Sequence, residues 1–314
     1  MKNTTYLIGL DLGGTAIKYG VCDNQGIIKK EFVTETNPEN PADLILKRIQ
    51  DSISNSLLYA EKEKIKISAI GLGTPGCIDI NTGFLKGSTP NFKYWEGVAI
   101  KDYLSSHFDY PVFIDNDANA MAYCEFIFGS GKNFNNGVCV TLGTGIGGGI
   151  IIDKKLFRGS RFAGAELGHM SIQYDGKKCR CGGIGCWELY ASATAMVKNY
   201  LFKDPTRMTI TPRKIFEQFK NGNEIAIQVI QNEIEMVAVG LANLVNIFNP
   251  EAIIIGGGLS ETGQWFVDKI TNEVKKRAMK ESFKEVKIFP AALGNKAGWL
   301  GSAVLAYHQY YLNK

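Results

Sequence analysis

The chain has 314 residues, 45% of them hydrophobic, and a formal net charge of +4. That apolar content can bury more than one core, so two lobes are expected. With so small a charge and no block of five or more like charges, the chain shows no electrostatic footprint of a nucleic-acid or membrane-surface partner.

Residues 6 to 33 predict three strands, Tyr6 to Asp11, Ala16 to Cys22 and Ile27 to Val33, joined by Gly13-Gly14-Thr15 and by the turn Asp23 to Gly26. A P-loop or Rossmann glycine turn opens a helix, whereas this one returns as a strand and builds a hairpin. No basic, cleavable leader precedes Tyr6, and no uninterrupted apolar run reaches the roughly 18 residues of a membrane span, so a cytoplasmic protein is expected. Helical spacing follows from Pro41 to Tyr59, then short buried strands at Ser68 to Leu72 and Val112 to Ile114, then a helix from Asn119 to Phe128 ended by Gly129.

The hairpin pattern then returns. Aligning Asp11-Leu12-Gly13-Gly14 with Thr141-Leu142-Gly143-Thr144 also matches Asp23 with Asp153, which predicts an internal duplication of related lobes. Beyond it, Glu224 to Phe248 reads as a long amphipathic helix stopped by Asn249-Pro250, and Ala252 to Ile255 as a buried strand ending in Gly256-Gly257-Gly258. Strands alternating with helices imply an α/β chain with mixed sheets.

Three glycine clusters, Asp11 to Thr15, Gly143 to Gly149 and Gly256 to Gly258, each follow an apolar strand. Glycine there lets backbone N–H groups approach a phosphate and permits positive φ, so together the clusters point to a nucleotide site. Asp11 at a strand end is placed to hold Mg²⁺ directly or through water; the competing reading is a turn aspartate satisfying local N–H groups. Lys18, in the returning strand, reads equally as a phosphate ligand and as a solvated strand lysine.

Of seven cysteines, Cys22, Cys77, Cys124 and Cys139 are scattered in apolar or strand-like settings and read as reduced core thiols. Cys179, Cys181 and Cys186 crowd into eight positions among glycines, and His169 is the nearest of three histidines. A Cys₃His set predicts a closed, tetrahedral structural zinc site. The second imidazole nitrogen of His169 would then be free to orient a ligand hydroxyl.

Asp11-Leu12-Gly13-Gly14-Thr15, Asn116-Asp117-Ala118-Asn119, Glu166-Leu167-Gly168-His169 and the run from Cys179 through Cys181 and Cys186 to Glu188 occur in the order and spacing of the ROK family, named for repressors, open reading frames and sugar kinases. The resemblance extends to Gly298-Trp299-Leu300-Gly301-Ser302-Ala303 and implies an actin-like ATPase (ribonuclease H-like) fold with sugar and ATP meeting in an interlobe cleft. Residues 1–117 would form the smaller lobe, with a C-terminal helix 302–314 packing back on it, and residues 118–301 the larger.

The resemblance also implies roles. Asp117 is the expected general base, and Gly76, Asn91, Asn116, Asp117, Glu166, His169 and Glu188 the expected sugar site. Asp11, Gly13, Gly14, Thr15, Lys18, Gly143, Thr144, Gly145, Gly257 and Gly258 would hold ATP and Mg²⁺, and His169, Cys179, Cys181 and Cys186 the zinc. Read alone, Asp115, Asn116 and Asp117 could equally be a helix N-cap and its neighbours. ROK repressors carry a DNA-binding domain ahead of the first glycine motif, which here begins at residue 11, so a kinase is expected rather than a regulator. Glucose phosphorylated at its C6 hydroxyl is the first expectation, from the Gly164-Ala165-Glu166 context; N-acetylglucosamine or N-acetylmannosamine is the alternative, and a catalytically silent sugar sensor the reading from another class. Family members are often homodimers or homotetramers.

Overall fold

The computed structural model describes residues 4–87 and 92–312. The chain packs as two compact units, one of Met1–Gly129, Leu156–Gly164 and Asn295–Lys314, the other of Ser130–Lys155 and Ala165–Gly294.

In the first unit β1 (Tyr6–Leu12), β2 (Ala16–Asp23) and β3 (Ile28–Glu35) form an antiparallel meander. The helix α1 (Ala42–Lys62) crosses back to β4 (Ile67–Thr74), parallel to β1. A small ribbon of β5 (Ile78–Asp79) and β6 (Phe84–Leu85), then α2 (Ile100–His107), leads to β7 (Val112–Asn116), parallel to β4, and α3 (Asp117–Ile127) leaves its end. The strand order is β3-β2-β1-β4-β7.

Leu7, Ile8, Leu10 and Leu12 are all buried, because this sheet is covered on both faces. On one side Ile45, Ile49, Ile53 and Leu104 of α1 and α2 share a core with Ile8, Leu10 and Ile70. On the other lies the C-terminal helix (Ala297–Leu312), so close that a Cβ at Gly9 would stand 2.0 Å from the Trp299 carbonyl oxygen and one at Gly71 1.9 Å from that of Ser302. Only glycine permits that approach.

The second unit repeats the plan with β8 (Gly137–Leu142), β9 (Ile146–Ile152) and β10 (Lys155–Phe157). Two 3₁₀ turns, Leu167–His169 and Trp187–Leu189, precede α4 (Ala193–Lys203), α5 (Pro212–Lys220) and α6 (Glu224–Phe248). Then come β11 (Ala252–Gly256), α7 (Gln264–Arg277), α8 (Lys280–Phe283) and β12 (Lys287–Pro290), with strand order β10-β9-β8-β11-β12.

Both sheets therefore run meander, then parallel strands, as the expected duplication requires. The residue match is less regular. Leu12 pairs with Ile17 across four turn residues but Leu142 with Ile146 across three, so Asp23 corresponds to Ile152, and Asp153 lies in the next turn at φ 49°.

The units also divide differently from the expected lobe boundaries at 117 and 301. Helix α3 goes with the first unit because it packs on the C-terminal helix, where a Cβ at Gly301 would meet the Ala120 carbonyl oxygen at 2.0 Å. Leu156–Gly164 falls in the first unit as well, so β10, given above with the second sheet, has Lys155 in the second unit and Leu156 and Phe157 in the first.

Helix α6 begins at an Asn223 cap and ends where Asn249 turns left-handed at φ 42° ahead of Pro250, as the sequence predicts. Against the expectation that nothing here matches a membrane span, it is long and apolar enough by composition to cross one. Its apolar residues instead fill the core of the second unit, where Val229, Ile230, Val237 and Leu241 are buried with Trp187 and Ile253. Glu233 is buried on the same helix, its Oε1 has no hydrogen-bond partner among the described residues, and burial holds its carboxyl well above the usual range. The folded chain thus keeps a proton that the unfolded chain releases above about pH 4.5, so this group's contribution to stability falls as pH rises from there. Glu233→Met is expected to stabilise the protein at pH 8 by roughly 1–3 kcal/mol, with a smaller gain at pH 5, in thermal melts at both pH values.

Candidate active site

The first unit gathers the expected residues of the first glycine turn with Asn116 and Asp117. Strand β1 carries Asp11 to its end, opposite Lys18 on β2. The turn between them closes with the Gly13 N–H donating to the Ala16 carbonyl at 3.0 Å. Gly14 and Thr15 are exposed, and a Cβ at Gly14 would meet nothing within 4 Å, so bare backbone is presented outward. Neither Gly13 nor Gly14 is left-handed, so of the two expected reasons for glycine only open backbone approach applies at this turn.

Lys18 Nζ donates to Asn295 Oδ1 at 2.9 Å. The Asp11 carboxyl is pushed up to about 7, chiefly by burial, then by the negative charge of Asp117, with Lys18 pulling the other way. Gly298 makes room for it, since a Cβ there would stand 2.4 Å from Asp11 Oδ2. A carboxyl held this high beside a second carboxylate suits a cation or a proton.

At the β7–α3 junction the helix begins two residues before its expected start. Asn116 is the N-cap: its Oδ1 accepts from the Ala118 and Asn119 N–H groups at 2.9 and 3.1 Å. Its Nδ2 donates to the Gly76 carbonyl at 3.2 Å, where Gly76 turns at φ 102°. The Asn116 oxygen is therefore occupied by the helix, and its second amide hydrogen has no partner among the described residues. Asp117 occupies the first helical position, where the N–H ends of the helix favour a negative charge, and its Oδ1 accepts from the Ala118 N–H at 2.8 Å.

The cap and acid readings of this segment therefore fall on different residues. Behind them, buried Asp115 pairs with Arg158, a residue the sequence reading did not select; its partner lies 43 positions away and no local pattern marks it. Asn91 falls outside the described residues. The neighbouring Trp95 is buried and donates from Nε1 to Thr74 Oγ1 at 2.8 Å.

The second unit gathers the other expected residues. The Gly143 N–H donates to the Gly145 carbonyl, and the Gly143 carbonyl accepts from Ala193 at the start of α4. Gly257 is left-handed at φ 84°, and a Cβ there would stand 2.5 Å from the Leu142 carbonyl oxygen. The second and third glycine clusters thus abut, with Gly143, Thr144 and Gly258 on open sides. Glu188 borders the same turn, because a Cβ at Gly145 would meet its Oε2 at 2.6 Å.

Leu167 anchors its turn in the core, and Gly168 lets that turn close on the Ile146 carbonyl oxygen, 2.1 Å from where a Cβ would sit. His169 then points Nδ1 toward Cys179 Sγ, 3.7 Å away, and Glu188 Oε1, also at 3.7 Å. The Glu166 carboxyl is raised, first by burial and further by Glu188, with His169 opposing.

The donor atoms of His169, Cys179, Cys181 and Cys186 all lie within 4.8 Å of one another, with the Cys181 and Cys186 sulfurs 3.5 Å apart. A tetrahedral ion with Zn–S bonds near 2.3 Å needs sulfur separations of about 3.8 Å, which this spacing fits. Gly182 (φ 91°) and Gly185 (φ 73°) supply the turns that wrap the loop. Burial pushes the Cys186 thiol up to about 12, while the Gly183 N–H lowers Cys181, so a cation would draw on thiols of unequal acidity.

Two five-stranded mixed sheets of one topology, each with a glycine-turn hairpin, define the actin-like ATPase fold. The ROK family model matches residues 7–309, and the chain belongs to the ROK family. It is 34% identical to the glucokinase of Thermotoga maritima, covering 95% of this chain and 96% of that one. It is 33% identical to the xylose repressor of Bacillus spizizenii over 98% of this chain and 78% of the repressor. Among solved structures, the ROK hexokinase of Thermus thermophilus superposes with TM-score 0.86 at 29% identity, covering 98% and 99% of the two chains. A ROK glucokinase from Streptomyces griseus in complex with glucose and AMPPNP gives 0.84 at 34% identity and 98% and 100% coverage. A putative N-acetylmannosamine kinase from Listeria monocytogenes gives 0.83 at 25% identity, covering 99% and 100%.

Proposed function

We propose that this ROK chain, an ATP-dependent sugar kinase, takes glucose as its acceptor and transfers the γ-phosphoryl group of ATP to the C6 hydroxyl. The observation that carries the reading is the pair of carboxylates at Asp11 and Asp117, near enough that one raises the pKa of the other, beside a bare glycine turn. Asp117 accepts the proton of the attacking hydroxyl, held by the α3 N-terminus. Asn116, Gly76, Glu166, His169 and Glu188 bind and orient the sugar, and the amides of Gly13 to Thr15 and of Gly143 to Gly145 receive the phosphates, with Gly257 and Gly258 beside the nucleoside. Mg²⁺ neutralises phosphate oxygens when bound, and Asp11 is the group that fits it. Lys18, tied to Asn295, trims the charge at Asp11. Because ATP is the donor, the cytoplasm is the compartment this reading implies.

A coupled ADP-release assay over glucose, mannose, N-acetylglucosamine, N-acetylmannosamine and xylose tests the acceptor. Glucose is expected to exceed each other sugar at least about tenfold in kcat/KM, which corresponds to about 1.4 kcal/mol of transition-state discrimination. An acetylated hexosamine on top would replace glucose as the substrate. The xylose repressor among the relatives sets a second reading, a sugar-binding regulator; sugar binding by calorimetry with no ADP release on any sugar would favour it.

The Cys₃His cluster fits a structural zinc, which supplies no step of the reaction and fixes the ring of His169, leaving Nε2 for the sugar. Elemental analysis should find about one zinc per chain, and Cys181→Ser should weaken both glucose affinity and thermal stability. A metal-free protein with undiminished sugar binding would remove the assignment.

A further inference from the structure

We propose that Arg158 is a positioning residue for phosphoryl transfer, fixing through Asp115 the backbone that presents Asp117. The proposal rests on the reading of Asp117 given above. Arg158 Nε and Nη2 donate to Asp115 Oδ2 at 2.9 and 2.6 Å. Asp115 Oδ1 accepts from the Asn116 N–H at 2.8 Å and from Asn119 Nδ2 at 3.2 Å. A carboxylate has about four acceptor sites, and here all four are taken, so Asp115 cannot turn without breaking a bond in a buried setting. Two of those bonds grip residues 116 and 119, one on each side of Asp117. Asn116 in turn caps the helix that Asp117 opens. Among the described residues, Arg158 is the one charged group in this network that comes from outside the β7–α3 junction, and without it the Asp115 charge is buried and has no cationic partner there.

The segment that delivers Arg158 is itself held. Its Gly164 N–H returns to the Arg158 carbonyl at 2.9 Å, and the Phe162 carbonyl accepts from the Cys77 thiol at 3.5 Å. Phe162 and Ala165 are left-handed, both at φ 65°, a strained conformation for side chains with a Cβ. Two residues beyond Gly164 the chain reaches Glu166. From this held segment Arg158 presents a fork-shaped donor to Asp115. A lysine gives a single point charge and cannot reproduce the two N–H bonds.

A bland alternative exists: Arg158 neutralises Asp115 and does nothing else. The double variant Arg158→Met with Asp115→Asn separates the two, because it removes both charges while the asparagine oxygen still accepts from residues 116 and 119. Positioning predicts melting within a few degrees of wild type, kcat down by about thirtyfold or more, and KM for glucose and ATP within about threefold. Wild-type kcat in the double variant would overturn the proposal. Arg158→Lys, which keeps the charge, is expected to melt normally and lose about tenfold in kcat; full kcat there would overturn it too. Amide exchange at Ala118 and Asn119 is a readout independent of catalysis. It should rise at least about tenfold in the double variant, and unchanged protection would also count against positioning. Wild-type protein inactive on every hexose would sink the kinase reading while leaving the exchange result to decide this one.

Discussion

Asp117→Asn is expected to cut kcat at least about a thousandfold while glucose binding, measured by calorimetry, stays within about tenfold of wild type. The substitution is chosen because an asparagine oxygen can still accept the Ala118 N–H that Asp117 Oδ1 takes at 2.8 Å, and the cap belongs to Asn116. Helix α3 should therefore start where it does now, and the change removes the proposed base and little else. General-base catalysis is commonly worth about 10²- to 10⁴-fold, and the upper part of that range applies where a carboxylate is fixed at a helix N-terminus rather than mobile. The loss should appear in kcat more than in KM, because proton acceptance matters in the transition state and a sugar hydroxyl can hydrogen-bond an amide in the ground state. Near-normal turnover would show that Asp117 serves the helix alone. Removing its charge also removes one cause of the elevated Asp11 pKa, so Asp11 in the variant should titrate lower.

Much of this is legible in the sequence because the informative signals are local. The glycine turn after β1, the stop at Asn249 and Pro250, and the cysteine loop each depend on neighbours a few residues apart, and each appears where the sequence puts it. The start of α3 escapes periodicity, which sees only side chains facing the core. Asn116 caps the helix and Asp117 accepts from the Ala118 N–H, and neither carries an apolar signal. Membership of Leu156–Gly164 in the first unit is invisible for a different reason. The segment's contacts with that unit are long-range, among them an ion pair spanning 43 residues, and nothing in Leu156-Phe157-Arg158-Gly159 distinguishes a solvated turn from an anchored one. The role of the glycines is only half legible. Free approach matters at Gly14 and Gly143 and close packing at Gly9 and Gly71, whereas a left-handed backbone is required at Gly257.

Asp11→Asn is the change expected to separate stability from catalysis. In the folded protein without ligand the Asp11 carboxyl is pushed up to about 7 from an ordinary value of 3.8. Between those values the folded chain retains a proton that the unfolded chain has lost, so this group favours folding most below pH 3.8. Its contribution then declines with rising pH and levels off above about 7. At pH 8 the penalty is on the order of 2–4 kcal/mol, from about 1.4 kcal/mol per unit of pKa shift with allowance for partial access to water. An asparagine in its place carries no charge to bury, so the variant should melt roughly 5 °C or more above wild type at pH 8 and nearly with it at pH 4. Its kcat should nevertheless fall by about a hundredfold or more, since the carboxylate that opposes the phosphate charge through a cation is gone. Magnesium added with a non-hydrolysable ATP analogue at pH 8 supplies a positive charge to the wild-type carboxylate and finds none in the variant. It should therefore raise the wild-type melting temperature more than that of the variant, narrowing or closing the gap. A wild-type melt that does not change between pH 5 and 8, or a variant that turns over normally, would mean that Asp11 is a turn residue whose burial serves the hairpin and not the phosphates.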